Sequence, residues 1–131
     1  MCPYIQILTI PDRYPDLSYL QQDYADASAR DRRGYQAEDR ARLAGFGTAW
    51  HMIGIRAVAT VYVPHGPGVF QRLVIPSMGC FGVELDSDLT YLRQVGDEEL
   101  ANLRETLALL RVHEPVDQIV RWDTIFQQAA S

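Results

Sequence analysis

The sequence predicts one α+β domain in which an antiparallel sheet of about four strands packs with helices. The chain has 131 residues, close to the usual size of a single domain. Hydrophobic residues make up 47 % and charged residues 22 %, a globular composition. The predicted elements follow in the order β, α, β-meander, α, α, and the period changes from two to about 3.6 after Leu85. This segregation favours α+β over an alternating α/β fold.

Alternating apolar residues and turn signals predict the strands. The clearest strand has Ile53, Ile55, Ala57, Ala59, Val61 and Val63 on one face. The run Pro-His-Gly-Pro-Gly at 64–68 predicts a hairpin after it. We expect the last three strands to form a meander, with the first strand added at an edge. The predicted strands cover 4–10, 50–63, 69–75 and 80–85.

Capping residues and apolar stripes predict the helices. Asp16 caps a helix carrying Leu17, Leu20, Tyr24 and Ala27, which breaks near Arg33-Gly34. A charged helix over about 36–44 ends at Gly45 or Gly47. Ser87 or Asp88 caps a short helix through Val95, and Gly96 interrupts it. Asp97 starts a longer helix buried through Leu100, Leu103, Leu107 and Leu110, and Pro115 opens a last helix with Val116, Ile119, Val120, Trp122 and Phe126.

Composition excludes several classes of enzyme. The twelve basic residues are all arginine, so Schiff-base enzymes and P-loop nucleotidases, which need a lysine, are excluded. Cys2 and Cys80 are too few and too far apart for a disulfide scaffold or a zinc module. No signal peptide or membrane-length apolar run is visible, so we expect a cytoplasmic protein without cofactors.

Charge is unevenly distributed along the chain. The net charge of −5 argues against general nucleic-acid binding. An acidic segment over 83–105 and a basic segment over 30–42 form two poles, which favour a protein partner. The predicted partner-binding carboxylates are Glu84, Asp86, Asp88, Asp97, Glu98 and Glu99. The candidate basic patch, which is more often a solvated helix face, consists of Arg30, Arg32, Arg33, Arg40 and Arg42.

The alternating carboxylates Glu84, Asp86 and Asp88 have two interpretations. They could converge as a divalent-metal site or an acid/base pair, although Leu89 and Val95 replace the glycine and glutamate of a calcium loop. The simpler interpretation is structural: the aspartates cap the next helix, and Glu84 pairs with Arg72. We favour the second, because caps and cross-strand ion pairs are common.

Other reactive side chains give weak signals. The histidines His51, His65 and His113 lack metal-ligand spacing. Cys80 is a candidate nucleophile, but a buried small hydrophobe is the more common role. The aromatics Trp50, Tyr62, Phe70 and Phe81 are expected mostly in the core, unless an exposed cluster forms a binding face. Arg56, Arg72 and Glu84 are expected to share the less apolar sheet face with Thr60, as a salt-bridged surface or an anion-binding patch.

Two segments resemble small accessory proteins of phages, plasmids and integrated elements of GC-rich bacteria. One is Trp-His-Met-Ile-Gly-Ile-Arg-Ala at 50–57, and the other is Gly-Cys-Phe-Gly-Val-Glu-Leu-Asp-Ser-Asp at 79–88, followed by Tyr91 and the acidic run Asp97–Leu100. Those proteins usually read Gly-Leu-Trp-Gly-Ile-Glu-Ser-Asp-Ser in the second segment. The resemblance covers roughly 50–110 and implies a mobile-element setting, and such accessory proteins often counter host defences.

The expected function is therefore a non-catalytic, anti-CRISPR-like inhibitor. It would bind a host defence protein or CRISPR effector complex by placing the acidic segment on a basic surface of that partner. One alternative is a small metal-dependent enzyme using Glu84, Asp86 and Asp88. Another is a nucleic-acid-binding accessory factor using the arginines of 30–42. Self-association as a homodimer is also left open, and no membrane partner is indicated.

Overall fold

The computed structural model describes residues 2–112 and 120–127 of the chain, and it has an α+β architecture. A mixed sheet packs with two helices in this part of the chain. Short 3-10 turns lie at Ser18–Leu20 and Thr124–Phe126. The elements follow in the order β1 (Tyr4–Pro11), α1 (Ala29–Gly45), β2 (Met52–Pro64), β3 (Phe70–Pro76), β4 (Cys80–Glu84), α2 (Leu89–Leu109) and β5 (Val120–Trp122).

The sheet has five strands in the described residues and differs from the predicted meander. The hairpin from β2 to β3 is confirmed, with Tyr62 opposite Arg72. However, β4 returns to the same long strand β2, with Glu84 opposite Met52, and does not pair with β3. The thirteen residues of β2 are long enough to hold both short strands along one edge. The turn at 77–79 carries the chain from β3 to β4, and Ser77 N–H donates to Ala57 O at 2.8 Å there.

The first strand is internal, and the last helix was wrongly predicted at its C-terminal end. β1 lies between β2, to which it is antiparallel, and β5, to which it is parallel. Residues 120–122, predicted as helix, form β5 because Val120 and Trp122 pair with Ile5 and Ile7 and turn towards the core. The predicted beginning of that helix, at 115–119, lies outside the described residues.

The N-terminal helical region is shifted relative to the prediction. Asp16 does not cap a helix: its carboxylate accepts from Ser18 N–H, and the chain there forms only the single turn Ser18–Leu20. The helix α1 starts after Ser28, whose side chain accepts from Asp31 N–H. It continues through Gly34, where a break was wrongly predicted, and it ends at Gly45, one of the two predicted ends.

One uninterrupted helix replaces the two predicted between 87 and 110. Asp88 is its N-cap, as predicted, and accepts a hydrogen bond from Thr90 N–H. Gly96 does not break the helix. It leaves room for the Trp122 ring, since a Cβ at this position would lie 2.5 Å from that ring. Leu110 lies beyond the helix and is exposed, whereas Leu100, Leu103 and Leu107 are buried as predicted.

The core lies between α2 and one face of the sheet. Its centre consists of Ile5, Ile7, Ile55, Leu103 and Phe126, each with none of its surface exposed. The predicted stripe from Ile53 to Val61 is buried here, and Val63, at the end of β2, is exposed. In the described part of the chain, neither helix is long and apolar enough to cross a membrane.

Candidate binding surface

The two faces of the sheet have different surroundings. Odd-numbered residues of β1 and β2, such as Ile7 and Ile55, face α2 and the core. Even-numbered residues point to the other side, which we call the open face. Its Met52 end is covered by a small cluster that includes Leu20 and Trp50. The rest of the open face is partly accessible, since Tyr4, Gln6, Leu8, Arg56, Val58 and Tyr62 are half-buried and Phe70, Arg72, Val74 and Arg121 are exposed.

Three arginines lie on the open face, one from each of three strands. The register places Arg56 on β2, Arg72 opposite Tyr62 on β3, and Arg121 beside Gln6 on β5. Thr60 shares this face, as predicted, and is buried beneath its neighbours. Among the strand residues that the structure describes, Glu84 is the one carboxylate, and Arg42 neutralises it. The open face is therefore a cationic surface on an acidic chain.

Two of these arginines are held against aromatic rings. The Arg121 guanidinium carbon lies 4.4 Å from the centre of the Tyr4 ring, and that of Arg56 lies 5.7 Å from the centre of the Phe81 ring. Both distances are within the range of cation–π attraction. Arg56 Nη2 also donates to Met78 O at 3.0 Å. These contacts fix the guanidinium groups before any ligand binds.

Arg56 carries an unsatisfied donor. Its Nε is buried and has no hydrogen-bond partner among the described residues. Gly79 packs against this atom. A Cβ at Gly79, where φ is +91°, would lie 3.3 Å from Nε and 2.9 Å from the Phe81 ring. The tight turn before β4 therefore packs directly on the guanidinium.

The edge of the open face exposes apolar and aromatic surface. Phe70 is 48 % exposed, Phe81 is 46 % exposed and Val74 is 53 % exposed. The sequence predicted that most strand aromatics would be buried unless they formed an exposed face. Trp50 is buried at 3 %, but Phe70 and Phe81 are surface residues.

The predicted acidic and basic poles are joined to each other at one point. Arg42 donates to Glu84 Oε2 at 2.7 Å and to both oxygens of Asp86 at 2.6 and 2.7 Å. The guanidinium also lies 3.9 Å from the centre of the Trp50 ring. Glu84 therefore pairs with Arg42 and not with Arg72, because β4 is beside β2 and away from β3. Asp86 forms this ion pair and is not a helix cap.

Tyr19 extends this cluster. Its hydroxyl donates to Glu84 Oε1. Burial of the phenol and this hydrogen bond raise the pKa of Tyr19 to about 12. A cluster in which carboxylates are already bound by a guanidinium and a phenol is a structural link, and it does not present the free carboxylates that the metal-enzyme alternative requires.

Glu99 is not available to a partner. It is buried, with 5 % of its surface exposed, and its Oε1 accepts from Ser77 Oγ at 2.8 Å and from Gly79 N–H at 2.7 Å. Its role is to hold the turn between β3 and β4 against α2. Glu98 and Asp97 are exposed on the outer side of α2, and Asp88 is exposed as the N-cap.

The predicted basic patch is divided by its local contacts. Arg32 turns back to the preceding loop and donates to the carbonyl oxygens of Tyr24, Ala25 and Ala27. Arg42 forms salt bridges with Glu84 and Asp86. Arg30, Arg33 and Arg40 are exposed on α1.

Among the residues that the structure describes, the remaining candidates do not form a reactive site. Cys80 packs against the core, and burial followed by the charges of Glu99 and Glu98 raises the pKa of its thiol, which disfavours the thiolate. His51 and His65 are exposed, and His113 lies outside the described residues. Within the described ranges, no three His, Cys, Asp or Glu side chains are grouped as metal ligands would be.

Sequence reasoning missed Arg121 as part of this surface. The sequence placed it on a helix, whereas the structure places it on β5 beside Tyr4. Its signal was weak, because a three-residue strand is too short to show alternation. No family model, curated protein or solved structure matches this chain.

Proposed function

We propose that this protein is a non-catalytic binding protein that holds a single-stranded nucleic acid on the open face of its sheet. The observation that carries the proposal is that Arg56, Arg72 and Arg121 all lie on one sheet face that also carries aromatic rings. Guanidinium groups neutralise phosphates, and exposed rings stack on bases. A surface with both groups suits a polyanion that carries planar bases.

Single strands fit this surface better than a duplex does. Phe70 and Phe81 are about half exposed and lie at the edge of the sheet. Base stacking on such rings contributes about 1–3 kcal/mol per base, and it requires bases that are free of a complementary strand. Backbone neutralisation alone would leave these rings without a role, so we favour unpaired DNA or RNA over a duplex.

The net charge of −5 does not oppose this proposal, because the charges are segregated. Asp97 and Glu98 lie on the outer side of α2, which covers the opposite face of the sheet. Solvent-exposed charges that lie more than about 8 Å apart are largely screened from each other at physiological ionic strength. A phosphate on the open face is therefore close to the arginines and separated from the acids of α2 by the sheet and the core.

The first experiment is fluorescence anisotropy with labelled oligo-dT and oligo-rU. We expect binding that weakens with salt, with a slope of about −2 in log K against log salt for three phosphate contacts on a single strand. Arg72→Glu combined with Arg121→Glu should lose at least tenfold in affinity. Arg104→Glu, a single charge reversal at an exposed position on α2, is the control and should leave affinity nearly unchanged.

Two outcomes would contradict the proposal. One is the absence of binding to either oligonucleotide at low salt. The other is an equal loss of affinity in the Arg104→Glu control. The stacking component is tested separately by Phe70→Ala. This variant should weaken oligo-dT binding while binding to heparin, a polyanion without bases, stays the same.

A second candidate function is that of a mobile-element inhibitor that covers a basic surface of a host defence complex. The observation in its favour is that Asp97 and Glu98 lie exposed next to each other on the outer side of α2. We propose testing it by pull-down of the tagged protein from a CRISPR-containing host lysate. Asp97→Arg combined with Glu98→Arg should release a captured effector complex, and capture that survives this change would count against the acidic face.

A further inference from the structure

The outer edge of the sheet is formed by β3, and its backbone directions follow from the ladder with β2. Ser77 N–H donates to Ala57 O and His65 N–H donates to Val69 O, both at 2.8 Å, at the two ends of this ladder. Hydrogen-bonded pairs alternate along antiparallel strands. The odd-numbered residues of β3 therefore bond to β2, and the amide and carbonyl groups of Phe70, Arg72 and Val74 point to the free edge.

Side chains along this edge are also apolar and accessible. Leu73 is 37 % exposed, Val74 is 53 % exposed and Phe70 is 48 % exposed. Arg72 is the single charge on the strand. An exposed edge of this kind is a template for pairing with another strand, and natural proteins usually protect it with charges or bulges.

We infer that β3 pairs antiparallel with the β3 strand of a second copy, about a two-fold axis at Leu73. In this register Arg72 N–H donates to the carbonyl of the partner's Val74, and Val74 N–H donates to the carbonyl of the partner's Arg72. Phe70 N–H donates to the carbonyl of the partner's Pro76. With the reciprocal bonds the interface has six backbone hydrogen bonds, as the alternation of donors requires. Pro76, which has no N–H to donate, serves as an acceptor.

Charge and the number of backbone hydrogen bonds distinguish this register from its neighbours. Centring the pair on Arg72 would place two guanidinium groups directly opposite each other, which is destabilising. Centring the pair on Val74 would form four backbone hydrogen bonds between the strands, two fewer than the Leu73-centred register. The Leu73-centred register places each Arg72 opposite an apolar Val74 and buries the two Leu73 side chains against each other. A second copy is thus complementary to this edge in hydrogen bonds, and it places no two like charges opposite each other.

The paired sheet would also join the two open faces. Directly opposed residues of antiparallel strands lie on the same face, so Arg72 and Phe70 of both copies share one continuous surface. The α2 helices of both copies then lie on the opposite side of the paired sheet. The inference does not depend on nucleic-acid binding, and it is tested with the protein alone.

The test is the mass of the full chain in solution, measured by light scattering and sedimentation over a range of concentrations. We expect the wild type to be a dimer at high concentration. Leu73→Glu places two carboxylates on the two-fold axis and should give a monomer. Leu109→Glu makes the same chemical change at an exposed leucine of α2 and should remain a dimer. Val74→Pro, which removes an outward N–H and leaves the bonds to β2 intact, should also give a monomer.

Mixing variants tests the register itself. Leu73→Glu and Leu73→Lys should each be monomeric alone and should form a heterodimer when mixed, because opposite charges then meet on the axis. A wild type that stays monomeric at every concentration would overturn the inference. So would a dimer that survives both Leu73→Glu and Val74→Pro, because the interface would then lie elsewhere. A mixture that stays monomeric would show that Leu73 does not lie on the axis.

Discussion

At the residue scale, two helical glycines occupy opposite environments and provide a matched pair. A Cβ on Gly96 would lie 2.5 Å from the Trp122 ring and 3.2 Å from Ile7 Cγ2, whereas a Cβ on Gly34 has nothing within 4 Å. Gly96→Ala should lower the free energy of unfolding by about 1–3 kcal/mol through overpacking. Gly34→Ala should raise it by about 0.5–1 kcal/mol through helix propensity.

Urea denaturation of both variants measures this difference. Stabilisation by both substitutions would show that α2 does not approach β5 as closely as the structure indicates. Destabilisation by Gly34→Ala would show that α1 is not a regular helix at that position.

A second residue-scale prediction concerns pH. The hydrogen bonds from Arg42 hold the pKa of Asp86 below its ordinary value of 3.8. A carboxyl whose folded pKa is depressed contributes stability above its unfolded pKa, and that contribution is lost as pH falls through the folded pKa. Stability should therefore fall in acid below about pH 4. In Asp86→Asn this part of the acid dependence should be absent, while the stability of wild type and variant should converge at low pH.

Urea midpoints measured from neutral pH to strong acid will show the effect. Asp97→Asn is the control, since this carboxylate is exposed on α2. Identical pH profiles for wild type and Asp86→Asn would mean that the ion pair does not form in solution.

At the scale of elements, α1 contacts the preceding loop through Arg32 and Gln36, and it reaches the sheet through a few contacts at its C-terminal end. None of its residues is buried. It is attached where Arg42 binds β4 and its following turn, and where Trp50 Nε1 donates to Arg42 O at 2.7 Å. A helix without a buried face has little packing to stabilise it. We therefore expect α1 to open more readily than α2, which buries seven residues.

Hydrogen exchange on Arg42→Ala tests this attachment. We expect protection in α1 to fall by an order of magnitude or more, while the amides of β1 and β2 keep the protection set by global unfolding. Arg40→Ala, at an exposed position on the same helix, should leave protection close to that of the wild type. Equal loss of protection in the sheet would show that α1 and the sheet unfold as one unit.

At the scale of the whole molecule, the sheet separates two arginines of the open face from two exposed carboxylates of α2. Arg72 and Arg121 lie on the open face, and Asp97 and Glu98 lie on the outer side of α2. Electrostatic steering depends on the local field more than on net charge. We therefore expect the affinity for nucleic acid to depend more on where a charged residue lies than on the net charge of the chain.

Two double variants with equal changes in the magnitude of the charge test this separation. Arg72→Gln with Arg121→Gln should weaken oligo-dT binding about tenfold or more. Asp97→Asn with Glu98→Gln should change it less than threefold, although it moves the net charge just as far. Comparable effects from the two double variants would mean that binding follows net charge alone and has no defined face.

The sequence by itself determined the features that depend on neighbouring residues. The alternation in β2, the hairpin at 64–68, the cap at Asp88 and the end of α1 at Gly45 are local patterns, and the structure confirms them. The placement of Arg56 and Arg72 on the face of Thr60 followed from the same period of two.

Tertiary structure decided everything that depends on which strands meet. The parallel pairing of β5 with β1, the return of β4 to β2, and the continuity of α2 through Gly96 bring together residues far apart in sequence. Hence Arg42 of the basic segment pairs with Glu84 of the acidic segment. Glu99 is buried, and Arg121 lies on the open face. The physical reason is that burial against the core outweighs local propensity, and burial is set by long-range contacts that periodicity within one segment does not contain.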